Sequence, residues 1–114
     1  MDRARVAEDP SSEELVCDLS AIPPNDRLRY HDLRAQLRAA YISSKSINKG
    51  YALRLNEERM SMENVSEWIT LEDLCCPWLS LKAERIKPPT LEVRMKVPDR
   101  ARQVLRMELD DLLG

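Results

Sequence analysis

Two adjacent thiols, Cys75 and Cys76, stand directly before Pro77 in the run Trp68-Ile69-Thr70-Leu71-Glu72-Asp73-Leu74-Cys75-Cys76-Pro77-Trp78. Thiolates are nucleophiles and ligands for soft ions, so the pair suits Cu(I), Zn(II) or a thiophilic toxic ion. Neighbouring residues on a helix point about 100° apart. Both sulfurs reach one ion only where the helix has unwound, and Pro77 favours that by removing a backbone donor and disfavouring helix at the residue before it. A complete site needs more donors. Glu72 lies four residues before Cys76, one turn away on the same side. It also falls on an apolar stripe, where a carboxylate is costly unless paired. Cys17 is the one other thiol and His31 the one imidazole in the chain. The candidate metal ligands are therefore Cys75, Cys76, Cys17 and Glu72.

Competing chemistries have less behind them. A helix C-terminus carries partial negative charge, which disfavours a thiolate, and nothing in the sequence places His31 beside either cysteine as an activating base. Free cysteine also packs as a small hydrophobe, so a structural role or a thiol redox sensor stand as alternatives to metal capture. A vicinal disulfide between Cys75 and Cys76 would close a small strained ring. The C-x-x-C spacing of thioredoxin-like and zinc-ribbon motifs is missing. So are a Gly-rich phosphate loop, H-E-x-x-H and G-x-S-x-G. No catalytic residue is assigned, and a binding protein is favoured over an enzyme. Trp68 and Trp78 read as core or interface anchors.

The elements that must position these groups follow from periodicity. Residues 1–13 read as a flexible tail, and 14–114 as one domain. Leu15, Cys17 and Leu19 alternate with Val16 and Asp18, the pattern of a short strand stopped by Pro23-Pro24. Tyr30, Leu33, Leu37, Ala40 and Tyr41 form a helical stripe, with Asp26 near its positive end, that is expected to fade at Ser43-Ser44-Lys45-Ser46. Gly50 opens a strand in which Tyr51, Leu53 and Leu55 alternate with polar residues. Ser61 reads as the cap of a second helix carrying Met62, Val65, Trp68, Ile69 and Leu71 up to the thiols. Leu79, Leu81 and Ala83 and then Leu91, Val93, Met95 and Val97 mark two more strands about a turn at Pro88-Pro89. Pro98 suits the start of a last helix through Ala101, Val104, Leu105 and Leu109.

The expected fold is α+β in the order (β)αβαββα: three or four mainly antiparallel strands with helices on one face, including a split β-α-β unit of ferredoxin-like type. The opposite sheet face would carry Arg54, Ser80, Lys82, Glu84, Glu92, Arg94 and Lys96, either solvated or serving a homodimer or protein partner.

Composition bounds the partners. The 114 residues are 43% hydrophobic and 33% charged, which is globular. With 18 basic against 20 acidic side chains, the basic excess of a nucleic-acid domain is absent. No run reaches the length of a membrane span, and the first ten residues lack the apolar core of a signal peptide. Three cysteines, an odd number, cannot close a disulfide framework, and a cytoplasmic, reducing setting is expected.

The segments Cys17-Asp18-Leu19-Ser20-Ala21-Ile22, Arg29-Tyr30-His31-Asp32-Leu33, Gly50-Tyr51-Ala52-Leu53-Arg54-Leu55 and Glu67-Trp68-Ile69-Thr70-Leu71-Glu72, leading to Cys75-Cys76-Pro77-Trp78, resemble a family of small bacterial proteins without an established activity. Its recurrent feature is a Cys-Cys-Pro-aromatic motif after a helix bearing Trp and Glu. The resemblance runs from about residue 15 to about residue 109. It implies similar domain limits, singles out Glu72, Cys75 and Cys76, and includes Cys17. Asp73 stands where similar proteins carry a basic residue, a departure that would remove a cation able to lower a thiol pKa.

Overall fold

A computed structural model describes residues 18–113. A 3-10 turn, Leu19–Ala21, opens them, capped by the Asp18 carboxylate accepting from the Ser20 N–H at 3.0 Å. Helix α1 spans Pro24–Ala40, with a proline in its first turn where a missing N–H costs nothing. Its buried side chains are Tyr30, Leu33, Leu37 and Ala40, the expected stripe. Helix α2, Met62–Cys75, begins at Ser61, whose hydroxyl accepts from the Asn64 N–H at 3.1 Å. Helix α3, Arg102–Leu113, follows a 3-10 turn at Asp99–Ala101.

The strands are β1 Tyr41–Ile47, β2 Gly50–Asn56, β3 Ser80–Lys87 and β4 Thr90–Lys96. Strand β1 corrects the sequence reading. The serine-rich stretch does not let α1 fade; the chain passes from Ala40 straight into extended backbone at Tyr41 and pairs antiparallel with β2. Five of its seven residues are exposed and none is fully buried. As an edge strand it has no apolar alternation, and β2 supplies its order through the backbone ladder. Of the strand expected near Leu15–Leu19, residues 15–17 lie outside the described residues, as does the tail 1–13, while Leu19 belongs to the 3-10 turn.

The sheet order is β1-β2-β4-β3, with every neighbouring pair antiparallel. Strands β2 and β3 therefore run parallel, joined by α2, with β4 inserted between them. That is the split β-α-β unit anticipated from the sequence. The order is that of a ferredoxin-like sheet started at a different point: transferring α1 and β1 to the end of β4 would regenerate β-α-β-β-α-β.

All three helices contribute to one core with the inner sheet face, which supplies Leu53, Leu55, Leu91, Val93 and Met95. The other face carries Arg54, Lys82, Glu84, Arg94 and Lys96 to solvent, as expected, with Glu92 buried among them. Gly50 opens β2 because nothing larger fits: a Cβ there would lie 1.7 Å from the Met95 carbonyl oxygen.

Candidate metal centre

Helix α2 ends at Cys75. The next residue, Cys76, leaves helical geometry (φ −129, ψ 70) while its N–H still donates to the Glu72 carbonyl at 2.7 Å. The proline thus unwinds the helix where the sequence required. Glu72, Cys75 and Cys76 are all buried, and one ligand atom from each lies within 4.8 Å of the others. The Cys75 Sγ is 3.6 Å from Glu72 Oε1 and 3.7 Å from Cys76 Sγ. A tetrahedral zinc-like ion with ordinary bond lengths would separate two sulfurs by about 3.8 Å and a sulfur from a carboxylate oxygen by about 3.5 Å. The donors are spaced as the edges of such a tetrahedron.

Glu72 is 7% exposed, and neutral donors hold it. Tyr30 Oη donates to Oε2 at 2.8 Å, and Trp68 Nε1 donates to the same oxygen at 3.0 Å. Burial pushes the Glu72 carboxyl above the usual carboxylate range, while the Tyr30 hydrogen bond and the Arg34 charge pull the other way. Burial, with the neighbouring Glu72 charge behind it, pushes the Cys75 thiol up to about 12. Tyr30 is raised for the same two reasons. Cys75 therefore rests as a thiol that donates to Glu72, and a nucleophilic thiolate is disfavoured.

A cavity of about 20 Å³, enough for one water-sized occupant, adjoins the cluster and is lined by Tyr30, Arg34, Trp68, Glu72, Cys76 and Glu108 among others. Arg34 pairs through Nη2 with Asp111 at 3.1 Å. Its Nε is buried without a hydrogen-bond partner among the described residues.

Three of the four expected ligands are thus brought together. Cys17 lies outside the described residues. His31 is exposed on α1, edge-on to Tyr30, and is not among the clustered ligand groups. Asp73 is exposed. Cys75 is a free thiol, so no vicinal disulfide forms. Cys76 is disulfide-bonded, which departs from the expectation of reduced thiols throughout: an odd cysteine count still permits one bond. Sequence reasoning did not anticipate Tyr30, Trp68 and Arg34 as the surroundings of Glu72. The available signal was two aromatic residues with polar heads on apolar stripes, each needing an acceptor.

No family model, curated protein or solved structure matches this chain. Among the described residues no helix is long and apolar enough to cross a membrane. The molecule is an α+β domain carrying a buried Glu72-Cys75-Cys76 cluster whose ligand atoms lie close enough together to hold a metal ion once Cys76 is reduced.

Proposed function

We propose that this domain is a non-catalytic binding protein that captures a soft metal or metalloid ion, in its reduced state, through Cys75, Cys76 and Glu72. The observation that carries the reading is the spacing of the three donors, 3.6 and 3.7 Å along the two edges that meet at Cys75. Metal capture here must displace the proton that burial holds on Cys75. That selects ions with high thiolate affinity, such as Cu(I), Cd(II) or As(III), over Mg(II) and Ca(II). A reducing compartment such as the cytoplasm suits the reading, because it supplies both cysteines as thiols.

The test is a titration of the reduced protein with Cd(II), followed by sulfur-to-metal charge-transfer absorption. The expected result is one ion per chain, lost in both Cys75→Ser and Cys76→Ser and weakened in Glu72→Gln. Unchanged stoichiometry in the two serine variants would sink the proposal.

The outer sheet face favours a second reading, a protein-interaction or dimerisation module. Ser80, Lys82, Glu84, Arg94 and Lys96 line a shallow groove of about 320 Å³ there, with cations outnumbering acids. A monomer persisting across a concentration series in light scattering would remove its self-association form.

A further inference from the structure

Charge on the outer sheet face is arranged against the sheet's own stability. The cross-strand register sets Lys45 opposite Ala52, Ala52 opposite Arg94 and Arg94 opposite Lys82. One row across all four strands thus carries three cations and no acid. In the next row Glu84 stands opposite Glu92. Like charges directly opposite one another on a sheet are destabilising. Arg54 and Arg94 share the buried Glu92, whereas Lys45, Lys82 and Lys96 enter no ion pair among the described residues. The face therefore sets five cations, Lys45, Arg54, Lys82, Arg94 and Lys96, against Glu84 and Glu92. The whole chain has a formal charge of −2, so this positive excess is local.

Three of these cations, Lys82, Arg94 and Lys96, line the shallow groove together with Ser80 and a single acid, Glu84. The groove lies over β4 and β3, and β3 has no neighbour on its far side among the described strands, so it is open to the side of the sheet. Its β3 wall, residues 80–84, is about 13 Å of strand, the length of about four or five residues of extended chain. We propose that this groove docks an acidic extended segment of a partner protein, whose carboxylates meet Lys82, Arg94 and Lys96. The proposal rests on the interaction-module reading and names the partner's chemistry. A second copy of the face would bring the same positive excess against itself, a like-charge juxtaposition that opposes docking. Nucleic acid fits less well. No aromatic side chain stands in these rows to stack on a base, and Glu84 and Glu92 repel phosphate.

The experiment titrates the full chain into a fluorescein-labelled peptide of alternating glutamate and serine and follows anisotropy. The same peptide with glutamine for glutamate, and a labelled single-stranded oligothymidylate, are run beside it. The glutamate peptide is expected to bind and the glutamine peptide not to bind. Affinity should fall about tenfold in the double variant Lys82→Gln, Lys96→Gln, and should fall also between about 50 and 200 mM salt. Amide shifts on peptide binding should centre on residues 80–84 and 94–96. Lys82→Glu, which sets an acid opposite Arg94, should abolish binding yet raise the melting temperature by about 2–6 °C; that gain separates a lost site from a lost fold. Affinity unchanged in the double variant, equal binding of the glutamine peptide, shifts on another surface, or a lowered melting temperature in Lys82→Glu would each overturn the proposal. Tighter binding of the oligothymidylate would overturn it in favour of nucleic acid. Self-association in light scattering that disappears in the double variant would overturn the acidic partner and keep the interaction reading. A monomer that binds no probe removes both, so the two failures are told apart.

Discussion

Two glutamates are buried in the described part of this domain, and they are buried in opposite ways. Glu92, on the outer sheet face, is 3% exposed and sits between two arginines, with Oε1 3.0 Å from Arg94 Nε and Oε2 3.7 Å from Arg54 Nε. Both arginines keep about half of their side-chain surface in solvent, at 50% and 45%. Glu72, under the helices, meets a phenol, an indole and a thiol, with Arg34 acting on it only at a distance. Glu92 is thus held in place by cations that themselves remain half hydrated. Glu72 is held by neutral donors under the helices, and burial raises its carboxyl above the usual carboxylate range. The same residue type thus serves surface order in one region and a candidate site in the other, and the difference lies in the charge of the partners.

Removing each carboxylate is the strongest way to break the comparison. Glu72→Ala leaves the Tyr30 hydroxyl and the Trp68 N–H buried without an acceptor, at roughly 1–3 kcal/mol for each orphaned donor. The expected loss in urea denaturation is about 3 kcal/mol or more. Metal affinity should respond almost as strongly, to pH. It rises about tenfold per pH unit for each thiol proton displaced, so about 100-fold where two are lost. A flat profile in cadmium titrations of reduced protein would mean that the cysteines are not ligands.

Smaller effects sharpen the contrast. Tyr30→Phe should cost about 1–2 kcal/mol and drive Glu72 titration further upward, because the hydrogen bond it deletes favours the ionised form; carboxyl-carbon NMR of Glu72 reads this directly. Glu72 has a raised native pKa, so its contribution is fully present below the pH where an unfolded glutamate titrates and fades as pH climbs through the native value. The stability of wild type relative to Glu72→Gln should accordingly fall with rising pH over that window; a rise would reverse the assigned shift. Smallest of all, Glu92→Gln should cost about 1 kcal/mol or less, diminishing with added salt. A loss matching that of Glu72→Ala would erase the distinction between the two sites.

Much of this was legible in one sequence. The stripe Tyr30, Leu33, Leu37, Ala40 and the alternation Leu91, Val93, Met95 each carry a complete apolar face, so their period names the element and its buried side. The cysteine pair before Pro77, with Glu72 one turn earlier, was also legible, because proline and helical spacing are local rules. Strand β1 was not. Its residues Ile42 to Ser46 bury little, and its conformation comes from hydrogen bonds to β2 that no residue of its own announces.

The sequence by itself therefore determined the class of fold, the polar and apolar faces of the sheet, the end of α2 and the three residues, Glu72, Cys75 and Cys76, that cluster where an ion could be held. Only the tertiary structure decided who surrounds Glu72. Tyr30 stands 42 residues away in the chain and reaches it because α1 and α2 pack side by side on the sheet. It also decided that Cys75 keeps a free thiol while Cys76 enters a disulfide. Local periodicity tells which way a side chain points. Its partner, and so its charge state and reactivity, depends on which elements the core brings together.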